Sequence, residues 1–154
     1  MIQRIQTLYL LIITALMTVT LFSRLAWFGG DGGEFGLYAF ALKSADGEVL
    51  HPAFYLGILL TLSAVLPLVT IFLYRRRMLQ IRLCVVELVF LVGSAVMEGI
   101  YYYLGCRVAS ELPFHTQGVG VSIALPVVSL LFAWLAARAI FRDELLVRAA
   151  DRIR

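Results

Sequence analysis

Charge is scarce in this sequence: only 15% of its 154 residues are acidic or basic, against 62% that are hydrophobic. A soluble fold of this size cannot hide so much apolar surface, so the expectation is a single domain built in a membrane. Cysteine is nearly absent. Cys84 and Cys106 fall near opposite ends of one predicted helix, about 30 Å apart at helical rise, so they cannot pair with each other. A thiol–disulfide exchanger, which uses a closely spaced pair, is disfavoured.

Histidine is equally rare, and His51 and His115 both fall in predicted loops. A four-helix haem protein needs histidines at matched depth inside its helices. A loop metal site using His51, His115, Asp31 or Glu111 competes with the plainer reading of solvated loop histidines. The chain has no glycine-rich phosphate loop followed by lysine, no H-E-x-x-H and no G-x-S-x-G. No catalytic residue, metal site or cofactor is therefore assigned. The net charge of +3 comes from short clusters beside apolar runs, without the aromatic interleaving of a nucleic-acid surface, so no nucleic-acid partner is expected.

What the chain does have is four apolar runs of membrane-spanning length, since hydrocarbon about 30 Å thick takes about 20 helical residues. The fold class read from them is an all-α integral membrane protein with transmembrane helices at about 7–28, 53–74, 83–106 and 118–141. The first run contains Arg24, close enough to its end to snorkel, and lacks a small-residue cleavage pattern, so it reads as an uncleaved helix. The run from Ala53 to Tyr74 carries no charge and stops at Arg75, Arg76 and Arg77. Tyr101, Tyr102 and Tyr103 suit an aromatic belt near the end of the third run. Between the first two helices, residues 29–52 predict an extracytoplasmic loop or a short hairpin of Gly36–Leu42 with Glu48–Leu50, turning at Asp46-Gly47. The tail 142–154 is amphipathic, with Leu146, Ala149, Ala150 and Ile153 at helical spacing and a Glu144/Arg148 pair, so it is expected to continue the helix or lie on the cytoplasmic surface.

Counting arginine and lysine by side assigns ten to one face and only Arg24, Lys43 and Arg107 to the other. The positive-inside rule then predicts both termini in the cytoplasm and the glycine-rich loop outside. Ser63-Ala64-Val65-Leu66-Pro67 and Ser122-Ile123-Ala124-Leu125-Pro126 share the pattern S-x-x-L-P, which raises two alternatives, an internal duplication with a kink at each proline or a coincidence of apolar sequence. Gly93-Ser94, Gly118/Ser122 and Gly99/Tyr103 are candidates for close helix packing.

The opening Met1-Ile2-Gln3-Arg4-Ile5-Gln6-Thr7-Leu8-Tyr9-Leu10 and the closing segment from Arg142 to Arg154 resemble the domain of unknown function 4293 family. The resemblance covers essentially the whole chain. It implies a small four-helix, multi-pass protein of a bacterial inner membrane, of the kind found in Bacteroidetes. It carries no activity, cofactor or catalytic residue.

Two carboxyl groups interrupt the third run. Glu87 and Glu98 are eleven residues apart, a rotation of about 1,100° that leaves them on nearly the same face about 16 Å apart, with Leu91 and Ser94 on the same stripe. Glu87, Ser94 and Glu98 form the candidate intramembrane polar site. In the structural alternative, Glu87 snorkels toward Arg82 and Glu98 hydrogen-bonds a neighbouring helix. Glu98 faces the interior on either reading, staying neutral or finding donors among Ser63, Thr70, Ser122 and Ser129. Glu98→Leu is accordingly expected to disturb helix association or activity, while Glu98→Gln preserves much of the fold and Glu87→Gln is milder.

Arg75, Arg76, Arg77, Arg82, Arg148 and Arg152 are candidate contacts for anionic lipid or a partner, or simple topological anchors. Membrane lipids and a membrane-protein partner are the expected associates, and the oligomeric state stays open. The leading functional expectation is a non-enzymatic accessory or assembly subunit of a membrane complex. The alternative is a small transporter or channel using Glu98 and Glu87. A membrane enzyme acting on lipid or quinone ranks third.

Overall fold

The computed structural model describes residues 3–30, 33–73, 76–110 and 116–151. Within them the chain forms α1 (Gln3–Phe22), β1 (Ala26–Gly30), β2 (Gly33–Leu37), β3 (Ala41–Ser44), β4 (Val49–Pro52), α2 (Phe54–Phe72), α3 (Arg77–Ser110), β5 (Thr116–Val119) and α4 (Leu125–Asp151). A single 3-10 turn, Val121–Ala124, leads into α4. All four helices are long and apolar enough to cross a membrane.

Each helix buries one narrow stripe whose members recur at alternating steps of three and four. In α1 these are Gln6, Leu10, Ile13, Met17 and Thr20, and in α2 Leu56, Leu60, Ser63, Pro67 and Thr70. In α3 they are Gln80, Cys84, Glu87, Leu91, Ser94 and Glu98, and in α4 Ser129, Ala133, Ala136, Ile140 and Asp143. That spacing is the 3.5-residue period of helices that pack nearly antiparallel along a shared seam. α1 packs against α2 and α4, and α3 packs against the same two, so the four stripes meet in one interior. The outward faces are apolar too, with Val89 64% and Leu131 65% exposed.

The helix ends differ from the expected ones where tertiary pairing overrides apolar periodicity. The first helix stops at Phe22, well short of 28, because Ser23 closes it through backbone and hydroxyl bonds to the Val19 carbonyl. Ala26, Trp27 and Phe28 then become a strand. β1 pairs antiparallel with β2 on one side and β5 on the other, in a five-stranded sheet ordered β4-β3-β2-β1-β5. The Asp46-Gly47 turn stands where expected, with Gly47 at φ +84°. The expected strand 36–42, however, is split between β2 and β3 by a tight turn that Tyr38 N–H closes on the Ala41 carbonyl at 2.9 Å. α3 runs from Arg77 to Ser110, beyond both ends of the predicted span. α4 continues as helix through Asp151, so the predicted tail extends the fourth helix; residues 152–154 lie outside the described segments.

The sheet ties the two helical hairpins together at one end. Gly120 N–H donates to the Leu25 carbonyl at 2.8 Å, and the Ser122 hydroxyl donates to the Arg24 carbonyl at 2.9 Å. Phe28 roofs the interior from β1. It stacks on Phe35 at 5.2 Å, tilts against Tyr102 at 5.7 Å, and lies over Gly105 of α3.

The two S-x-x-L-P segments adopt different structures. Pro67 sits inside α2, whereas Pro126 sits in the first turn of α4, a position that tolerates proline. The Ser122 carbonyl is not orphaned there, because the Leu125 N–H bonds to it across the 3-10 turn. Residue counting puts Ser63 and Ser122 about 20 Å apart along the helix axes. Hairpins related by an axis along the helices would hold them at equal height, so the repeat carries no structural equivalence.

Candidate functional site

The interior is polar at one end and acidic further in. At the end opposite the sheet, Gln6 Nε2 donates to Asp143 Oδ2 at 2.7 Å, joining α1 to α4. Gln80 Nε2 donates to the Thr70 carbonyl at 2.9 Å, joining α3 to α2. All four residues are buried, so two side-chain amides clamp the helices in pairs beneath the apolar layers. Sequence reasoning missed this layer. Its signal was there: Gln6 and Gln80 occupy stripe positions that otherwise hold core residues.

Seven residues from this layer on each helix lie Ile13, Ser63, Glu87 and Ala136, about 10 Å along the axis. Fourteen residues from it lie Thr20, Leu56, Ser94 and Ser129, at about 21 Å. Glu98 is one further turn toward the sheet. Glu87 and Glu98 are each 1% exposed and Ser94 is fully buried, so all three candidate positions share the interior stripe of α3.

Their partners differ from those expected. Ser94 and Thr20 turn their hydroxyls back onto the carbonyls of Phe90 and Leu16, each at 2.9 Å. Thr70 bonds the Leu66 carbonyl and Ser122 bonds the Arg24 carbonyl, so neither serves Glu98. The Ser63 and Ser129 hydroxyls, and all four carboxyl oxygens of Glu87 and Glu98, have no hydrogen-bond partner among the described residues. The expected escape of Glu87 toward Arg82 is also absent. Glu87 lies on the stripe between Cys84 and Leu91 and faces the neighbouring helices, while Arg82 is exposed on another face of α3.

The remaining predicted positions are dispersed. Arg76 is exposed in the link between α2 and α3, Arg77 opens α3, and Arg148 lies in the last turns of α4; Arg75 and Arg152 lie outside the described residues. His51 is an exposed residue of β4, and Asp31, Glu111 and His115 lie outside the described residues. Among the described residues, no group of three or more His, Cys, Asp or Glu side chains could hold a metal ion. Of the expected packing glycines, Gly99 has nothing within 4 Å of an added Cβ, and Gly118 lies on β5 against Trp27, away from any helix pair. Tyr103 is exposed and accepts a hydrogen bond from Arg107 Nε at 3.2 Å.

Arg24 was expected to snorkel from a helix. It follows the end of α1 and reaches across Gly36 to β2, donating from Nη2 to the Phe35 carbonyl at 3.1 Å with Nη1 3.7 Å from Glu34. Its task is to pin the sheet to the end of α1.

Four helices of membrane-crossing length are thus closed at one end by an antiparallel sheet and share an interior holding two carboxyl groups that have no hydrogen-bond partner among the described residues. The chain belongs to the family described as Domain of unknown function (DUF4293), whose family model matches residues 2–153, essentially its whole length. No curated protein matches it.

Proposed function

We propose that this protein is a four-helix bundle of the bacterial inner membrane that serves as a non-enzymatic accessory or assembly subunit, with both termini cytoplasmic and the sheet outside. The arginine count supports the orientation, since among the described residues the end bearing the sheet holds Arg24, Lys43 and Arg107 and the opposite end holds Arg4, Arg76, Arg77, Arg82, Arg138, Arg142 and Arg148. The observation that carries the assembly reading is the β4 edge. All four of its residues are exposed, including Val49 and Leu50, and the apolar strip continues onto Phe54 and Tyr55 at the start of α2. Lipid can cover such side chains but cannot pair a strand edge, whereas a segment of a second membrane protein can do both. Purification of the tagged full chain in mild detergent should recover a stoichiometric membrane protein, and Val49→Asp with Leu50→Asp should remove it while the tagged chain stays monodisperse. A chain recovered alone across several detergents contradicts this reading.

The unpaired carboxyls favour a second reading, a small transporter or channel. Buried ionisable groups without structural partners are costly and are retained where ions or protons pass. Proteoliposomes should then show a proton or cation flux that Glu98→Gln reduces about 100-fold or more, the scale on which removing a positioned acid or base acts. A flux unchanged by Glu98→Gln would exclude Glu98 from the path.

A further inference from the structure

A groove of about 300 Å³ runs between α1 and α4 on the outer surface of the helices, lined by Ile5, Tyr9, Leu135, Arg138, Ala139 and Arg142. Arg138 and Arg142 are one helical turn apart on α4, so their guanidinium groups stand on the same face and repel each other. Among the described residues, no carboxylate lines the groove. The nearest acid in sequence, Asp143, is buried about 100° around the helix from Arg142, where it accepts the Gln6 hydrogen bond. The Arg138 guanidinium lies 5.3 Å from the centre of the Trp134 ring, which holds it beside an exposed aromatic.

Placement adds to the charge. Arg142 is level with the Gln6–Asp143 layer, and Arg138 is about 7 Å further along the axis toward the apolar layers. By the same counting Tyr9 and Ala139 stand between the two arginines along the axis and Leu135 lies beyond Arg138, so apolar surface is interleaved with the basic pair. An occupant must be anionic and carry aliphatic surface beside its charge.

We propose that this groove binds one anionic phospholipid, with Arg138 and Arg142 on the phosphate and an acyl chain against Leu135 and Ala139. The proposal rests on the membrane-spanning reading and is independent of orientation and of any protein partner. Two guanidinium groups answer the phosphate charge, and phosphate bridging relieves their mutual repulsion.

The test uses the full chain in detergent, offered equimolar dioleoylphosphatidylglycerol and dioleoylphosphatidylcholine, with retained lipid counted by native mass spectrometry. Phosphatidylglycerol should be retained about thirtyfold more tightly, about fivefold for each guanidinium. Arg138→Gln with Arg142→Gln should bring the two lipids to parity, whereas Lys43→Gln with Arg107→Gln, at the sheet end, should leave the preference intact. If the groove double variant does not fold, Arg142→Gln alone decides, with an expected loss of about fivefold. Equal retention of both lipids, an unchanged preference in the groove variant, or full displacement by millimolar inorganic phosphate would overturn the proposal.

Discussion

Glu98→Met is expected to stabilise the fold by about 1–3 kcal/mol, read as a rise in the thermal midpoint in detergent. Both Glu98 carboxyl oxygens are buried with no partner among the described residues, so the substitution forfeits no bond to the described protein and removes a desolvation cost. Methionine matches the length of the side chain and adapts to the space it leaves. This reverses the sign expected for Glu98→Leu from the sequence, which supposed bonds to hydroxyls that the structure engages elsewhere or leaves apart. Glu98→Gln keeps a polar group in the same place and should leave the midpoint nearly unchanged. Glu98→Lys introduces a cation at a cost of about 3 kcal/mol or more and should fail to accumulate as folded protein. A fall in the midpoint of Glu98→Met would mean that the carboxyl holds a structural partner. A rise coupled to loss of flux or partner binding would mark Glu98 as retained for function at the expense of stability.

Gly105→Ala should destabilise the protein by about 1–3 kcal/mol, the usual cost of forcing a methyl into a packed core. An added Cβ would stand 2.5 Å from Phe28 Cζ and 2.6 Å from Cε2. The ring has no room to retreat, being fully buried between Phe35 and Tyr102. Because Phe28 belongs to β1, the strain falls on the junction between the sheet and α3. Phe28→Leu should relieve it, giving a coupling of at least about 0.5 kcal/mol in a double-mutant cycle. Gly99→Ala, with open space around the added methyl, should be neutral or stabilising by up to about 1 kcal/mol through helix propensity. Equal midpoints for Gly105→Ala and the unsubstituted protein would show that Phe28 does not pack on α3 in this way.

Much of this architecture was legible because long apolar runs admit few alternatives. The run after Ala53 has no charge to interrupt it, and α2 fills it almost completely. The shared face of Glu87 and Glu98 followed from their eleven-residue spacing. Other features depended on partners distant in sequence. Ala26, Trp27 and Phe28 continue the first apolar run, and only pairing with residues 116–119 and with β2 makes them a strand. The burial of Glu87 was hidden by the nearness of Arg82, which made an exit to solvent plausible until the stripe of α3 fixed its direction. Asp143 was read as part of an amphipathic tail that continues the helix or lies on the surface, and its partner Gln6 lies at the other end of the chain. The Gly118/Ser122 pattern misled because Gly118 is a strand residue, whereas Gly93 does face α2, where an added Cβ would stand 3.8 Å from Leu59.

Sidedness is the most direct test of the central claim, that four helices cross the membrane with the sheet outside and the arginine-rich end inside. The native cysteines serve poorly as reporters, since Cys84 is buried and Cys106 is only partly exposed. In a Cys106→Ala background, Asp46→Cys puts a thiol on the exposed turn between β3 and β4, and Arg76→Cys puts one on the exposed link between α2 and α3. With an impermeant maleimide, Asp46→Cys should be labelled in intact spheroplasts and Arg76→Cys only after permeabilisation. Labelling of Arg76→Cys but not Asp46→Cys in intact spheroplasts, or of both sites equally, would contradict the account.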